Sequence, residues 1–167
     1  MSASRQPLAQ IHALLERQAL AVLATRMRGR PYASLLAFAV TPDRRAILFV
    51  TRRATTKYRN IVGEPRVALL IDDRVDVGGE IGAVAAVTLL GTAAEVDAKD
   101  RPALLEHLLQ RHPQIARFAR APATALFRVA LRSALLVTRF QQVQRIDLRR
   151  RTGIRPALLG ARAPRRR

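Results

Sequence analysis

Three hydroxyls and three cations crowd one short stretch of this chain: Thr51, Thr55 and Thr56 with Arg52, Arg53 and Lys57. The residues before it, Ala46-Ile47-Leu48-Phe49-Val50, form a short apolar, β-branched and aromatic run that suits a buried strand. Thr55 suits a helix N-cap, because its hydroxyl can accept from free N–H groups of the first turn. Gly63, ahead of Glu64-Pro65, suits a terminator. A strand that gives way to a helix N-terminus presents unpaired N–H donors and the positive end of the helix dipole. With those hydroxyls and cations around it, the turn has the chemistry of a pocket for a phosphate dianion. Lys57 and Lys99 are the only lysines among 30 basic residues, so a lysine in this turn is not explained by the chain's general use of arginine.

Other chemistries find little support. The chain has no cysteine, which removes disulfides, thiolate metal sites and cysteine nucleophiles. His107 and His112 stand five apart, not at the i, i+4 spacing of a helical metal pair, and His12 lies far away in sequence, so no metal site is expected. No acid/base pair stands out. The formal charge of +18 would suggest nucleic acid, but eight arginines lie from Arg149 onward and no acid follows Asp147. Residues 149–167 read as a disordered basic tail capable of loose, nonspecific contact with polyanions. Aromatic residues are only 4%, so stacking platforms for single strands are scarce, which argues against nucleic-acid binding as the main role.

The elements that must position the anion turn follow from periodicity. At 167 residues the chain reads as one folded domain, 1–148, followed by the tail. It has no apolar run long enough for a membrane span and no secretion signal, so a cytoplasmic protein is expected. Leu8, Ile11, Leu14, Leu15 and Ala19 recur at helical spacing, with His12 and Glu16 on the wet side. Residues 21–25 and 32–40 read as strands around a turn at 26–31, and 46–51 as a third strand after a turn at 41–45. A helix over 55–62, a buried strand at 66–72 and a mobile loop over 73–82 come next. Residues 83–96 read as a long strand with a bulge or bend at Gly91. A helix over 97–111 carries Leu104, Leu105, Leu108 and Leu109 on one face, is stopped by Pro113, and is followed by a helical turn at 114–120. Three more strands are predicted at 124–130, 133–140 and 143–148. The connections are mostly too short for parallel crossovers. A mainly β, α+β fold results: a six- to seven-stranded antiparallel barrel with flanking helices.

Several segments, in order, resemble the pyridoxamine 5′-phosphate oxidase-like family of flavin-binding split barrels. They are Gly29-Arg30-Pro31-Tyr32-Ala33-Ser34-Leu35-Leu36-Ala37-Phe38, Leu48-Phe49-Val50-Thr51, Thr56-Lys57-Tyr58-Arg59-Asn60-Ile61 and Glu64-Pro65-Arg66-Val67-Ala68-Leu69-Leu70. Val87-Thr88-Leu89-Leu90-Gly91-Thr92-Ala93 and Arg139-Phe140-Gln141-Gln142-Val143 belong to the same series. The resemblance implies a split β-barrel and a homodimer with FMN held at the subunit interface. It places Ser34, Leu35 and Leu36 on the strand that runs along the flavin, Val50 and Thr51 at the end of the third strand, and Arg53, Thr56 and Lys57 at the phosphate. It also implies an oxidoreductase acting on a small molecule, with Tyr32, Arg139 and Gln141 as candidates for the substrate side, although each is read first as structural.

The sequence departs from that pattern at three places. Thr56 stands where such oxidases commonly have an arginine, Ala86 where they have an amide side chain near the flavin, and Arg139-Phe140-Gln141 where they have substrate-binding basic residues. These departures argue against a vitamin B6 substrate while keeping the flavin. Two alternatives on the same barrel are a haem-binding or haem-utilisation protein and a deazaflavin (F420)-dependent reductase. The Thr56-Lys57 turn and the lack of a well-placed axial histidine weigh against haem, whereas the turn suits a deazaflavin equally well.

Overall fold

The computed structural model describes residues 5–76, 78, 80, 82–139 and 142–149. The chain runs through α1 (Arg5–Arg17), β1 (Leu20–Met27), β2 (Arg30–Ala37), β3 (Ala39–Val40), β4 (Ala46–Arg52), α2 (Thr56–Gly63) and β5 (Arg66–Asp72). It continues with β6 (Ala86–Glu95), α3 (Arg101–Arg111), a 3-10 turn at Pro113–Ile115, α4 (Ala116–Ala119), β7 (Thr124–Thr138) and β8 (Gln142–Asp147). Every strand pairing is antiparallel, in the order β2-β1-β5-β6-β7-β4-β3, with β8 added to the far half of β7. This is the expected split barrel with flanking helices, a sheet curled into a half-barrel.

The β1–β2 hairpin turns on Arg28 and Gly29 alone, both at positive φ (49° and 78°), a twist that matches the flanking strands. Pro31, expected in the turn, lies inside β2 opposite Arg26. It is tolerated there because β2 is an edge strand. The run 32–40, expected as one strand, is two. At Phe38 the chain leaves β1, and Ala39 and Val40 pair with β4 instead. That change of partner is what bends the sheet round.

Other expectations are corrected as well. Residues 124–130 and 133–140 belong to one fifteen-residue strand, β7. The break read there is a bulge: Leu90 faces Ser133 and Gly91 faces Leu131, leaving Arg132 as the extra residue. The bulged strand is therefore β7, not β6. Gly91 is needed for space, since a Cβ there would stand 2.6 Å from the Ala130 carbonyl oxygen and 2.7 Å from Val129 Cγ1. Gly63 is the last helical residue of α2 and adopts no left-handed conformation; the helix ends because Glu64, preceding Pro65, is held extended.

Two apolar clusters follow from the alternation. Ile47, Phe49, Leu69, Leu89, Phe127 and Val129 fill the barrel interior, with Ile11, Leu14 and Leu15 of α1 packed onto them. Leu48, Val50 and Leu126 face the other way, onto Leu105, Leu108 and Leu109 of α3 and Ala119 of α4. β4 is thus buried on both faces, as its unbroken apolar run requires. β5 alternates instead, so it is half-buried and not the fully buried strand expected. Among the described residues no helix is long and apolar enough to cross a membrane. The expected tail beyond Arg149 lies outside the described residues.

Candidate functional site

β4 ends where the sequence places the anion turn. Thr55 N donates to Arg52 O at 3.1 Å, closing a tight turn, and Thr55 Oγ1 accepts from Tyr58 N at 3.3 Å, capping α2. The same hydroxyl donates to Arg52 O at 2.8 Å and lies 3.0 Å from Thr51 Oγ1. Thr51 is buried, so its hydroxyl braces the cap and does not face outward. Val50 is buried too, against α3 and α4.

Arg53 is also committed. Its guanidinium pairs with Glu95 at the end of β6 and donates to Pro122 O at 2.8 Å, while its backbone N–H donates to Ala123 O. Glu95 uses its second oxygen to accept from the Tyr58 hydroxyl at 3.0 Å. One carboxylate therefore spans the turn, holding a residue within it and one in the first turn of α2. Its hydrogen bond and charge push Arg53 further above its ordinary pKa. Sequence reading missed Glu95 and Tyr58, because nothing local connects residues 37 and 42 positions apart.

What remains open is Thr56, exposed, and Lys57, half-buried. The Lys57 ammonium makes no hydrogen bond or ion pair with any described residue, and desolvation lowers its pKa. A half-buried cation without a counter-charge, one residue into a helix, is what a bound phosphate would satisfy. Arg59, also missed, donates to Thr56 Oγ1 at 3.4 Å and to Ala54 O at 3.3 Å, adding a cation to the same turn. Its signal was the i, i+3 spacing from Thr56.

The flavin strand of the sequence reading is tied to this turn through buried polar groups. Asn60 Nδ2 of α2 donates to Thr25 Oγ1 of β1 at 3.0 Å, and that hydroxyl faces Tyr32 O of β2 at 3.5 Å. Leu35 points outward and is 61% exposed, whereas Leu36 is in the core. Ser34 shares the inward side; its Oγ is sealed from solvent and has no hydrogen-bond partner among the described residues. A ligand on the outer side would meet Leu35 and the unpaired backbone edge of β2, and would reach the Ser34 hydroxyl only if that edge shifted. Tyr32 is partly exposed on the same strand, and Arg139 follows β7 in a turn at φ 47°. Gln141 lies outside the described residues.

The histidines are engaged elsewhere. His107 Nε2 donates to Val40 O at 2.8 Å, His112 Nε2 to Phe38 O at 2.7 Å, and His12 Nδ1 lies 3.2 Å from Arg44. Burial and the Arg44 charge lower the pKa of His12. A cleft of about 420 Å³ opens between Glu16, Val40, Arg44, His107 and Arg111, sharing no residue with the anion turn. No group of three or more His, Cys, Asp or Glu able to hold a metal occurs among the described residues.

A family model described as pyridoxamine 5′-phosphate oxidase matches residues 8–138. The chain therefore belongs to the pyridoxamine 5′-phosphate oxidase-like family. No curated protein matches it by sequence. Among solved structures, a haem-binding protein from Mycobacterium smegmatis superposes with a TM-score of 0.76 at 16% identity, over 89% of this chain but only 60% of its own. A FAD-binding protein from Mesorhizobium loti gives 0.63 at 16% identity over 81% and 94%, and a haem storage protein from Vibrio cholerae 0.66 at 18% over 78% and 92%. At these identities the likeness is one of fold.

Proposed function

We propose that this chain is an FMN-binding flavoprotein, an oxidoreductase that works as a homodimer on a small-molecule substrate. The observation that carries the reading is Lys57, a half-buried ammonium lacking a counter-charge among the described residues at a capped helix N-terminus. Lys57, Thr56 and the first N–H groups of α2 would hold the phosphate. The outer side of β2 at Leu35 and its free backbone edge would meet the ring system. The flavin, when bound, supplies the electron chemistry; the chain's part is to bind, orient and exclude water.

Support for the homodimer comes from the outer face of the sheet. Leu35, Val22, Leu70, Thr88 and Leu135 are successive cross-strand neighbours from β2 to β7, an almost wholly apolar row. Leu35 and Leu70 are exposed, at 61% and 37%. Apolar rows of this extent mark a surface that another protein covers, and a second copy presenting the same row would cover it by twofold symmetry.

The test is the colour of the purified protein and the identity of the ligand it releases on denaturation. Yellow protein that releases FMN, and a Lys57→Ala variant that loses it, support the reading. A Soret band would move the assignment to haem, the second reading favoured by the haem-binding structural neighbours. Release of a deazaflavin would keep the site and change the cofactor.

A further inference from the structure

We propose that the exposed ring of Phe118 and the guanidinium of Arg52 form a subsite for the adenosine diphosphate half of a dinucleotide, next to the anion turn. The inference rests on the phosphate reading of that turn. Phe118 lies on α4 and is 36% exposed. The Arg52 guanidinium carbon sits 5.8 Å from its ring centroid. Beyond that ring, the Arg52 side chain has no hydrogen bond or ion pair with a described residue.

The neighbouring cations differ. Arg53 is held by Glu95, Arg101 by the carbonyls of Ala119 and Thr124, and Arg120 by Glu106. Those bonds also fix the segment that presents Phe118, so the platform is preorganised. Arg52 O accepts from Thr55 N at 3.1 Å, and the ends of such a turn lie within about 7 Å of each other. A monophosphate ending at Thr56 and Lys57 leaves Arg52 idle. A second phosphate gives that guanidinium an anion, and a planar base covers the exposed ring by stacking and cation–π contact. The adenine could come from a flavin dinucleotide bound as one molecule, or from a reduced nicotinamide dinucleotide bound beside FMN.

The test titrates the full chain, freed of copurified ligand, with FMN, FAD and ADP. FAD is expected to bind about tenfold tighter than FMN, the effect of one base–aromatic contact. Phe118→Ala should remove that advantage and abolish ADP binding while leaving FMN affinity unchanged, Phe118→Trp should restore both, and Arg52→Gln should abolish ADP binding. If FAD has no advantage but a reduced nicotinamide dinucleotide binds the FMN-loaded protein with the same dependence on Phe118, the subsite stands with the second source as its occupant. If FMN binds and none of the adenine ligands responds to Phe118 or Arg52, the subsite is overturned and the flavin reading survives. Failure of FMN to bind at all overturns both.

Discussion

Arg53 and Tyr58 are joined through a single carboxylate, Glu95, which takes the guanidinium on one oxygen and the phenol on the other. Arg53 is therefore expected to act on the fold of the turn more than on its ligand. Arg53→Ala should lower stability by about 0.2–1 kcal/mol, the range of a partly exposed pair, with a small change in FMN affinity. Thermal denaturation and flavin titration on the same variant check this.

Lys57→Ala should weaken FMN binding by about 1.5–3 kcal/mol, the value of a hydrogen bond to a charged group. Because desolvation holds the Lys57 pKa down, a bound phosphate should raise it, so binding takes up protons at alkaline pH, where the free lysine is partly neutral. Affinity should fall as pH rises through the Lys57 pKa in the wild type, and this dependence should disappear in the variant. Calorimetry in buffers of different ionisation enthalpy measures the proton uptake.

Leu35→Arg should convert a dimer into a monomer, read by light scattering, because it places a charge on the most exposed residue of the apolar row. A variant that remains dimeric would put the interface on another face.

Gly91→Ala should destabilise the fold by about 1–3 kcal/mol or more, since the new methyl must move the β7 backbone rather than a flexible side chain. The denaturant midpoint reports it.

Glu64 accepts from Arg66 and Arg26, and hydrogen bonding to Arg66 depresses its pKa to about 2. Its folded pKa lies below the unfolded one, so its contribution is fully present above about 4.5 and is lost as pH falls toward about 2. Glu64→Gln should flatten the acid limb of the stability curve over that window, and added salt should do part of the same.

The strand-to-helix turn was legible because its signals are local: an apolar run, a threonine cap and a lysine within a few residues. The partner of Arg53 was not, because Glu95 is brought to it only by the β4–β7–β6 pairing. The break at Phe38 was hidden for a similar reason, since the residue stays buried while the chain changes partner. Leu131-Arg132 was read as the gap between two strands, when a bulge had inserted one residue into a continuous one. Ser34 was placed correctly on its strand, but alternation alone did not say that its hydroxyl faces inward.

β7 alone pairs with β4, β6 and β8. During synthesis β4 and β6 must wait on the ribosome with their edges bare, until residues 124–138 emerge to pair with both. Such long-range closure slows folding, and it leaves unpaired strand edges open to aggregation until that strand has been made.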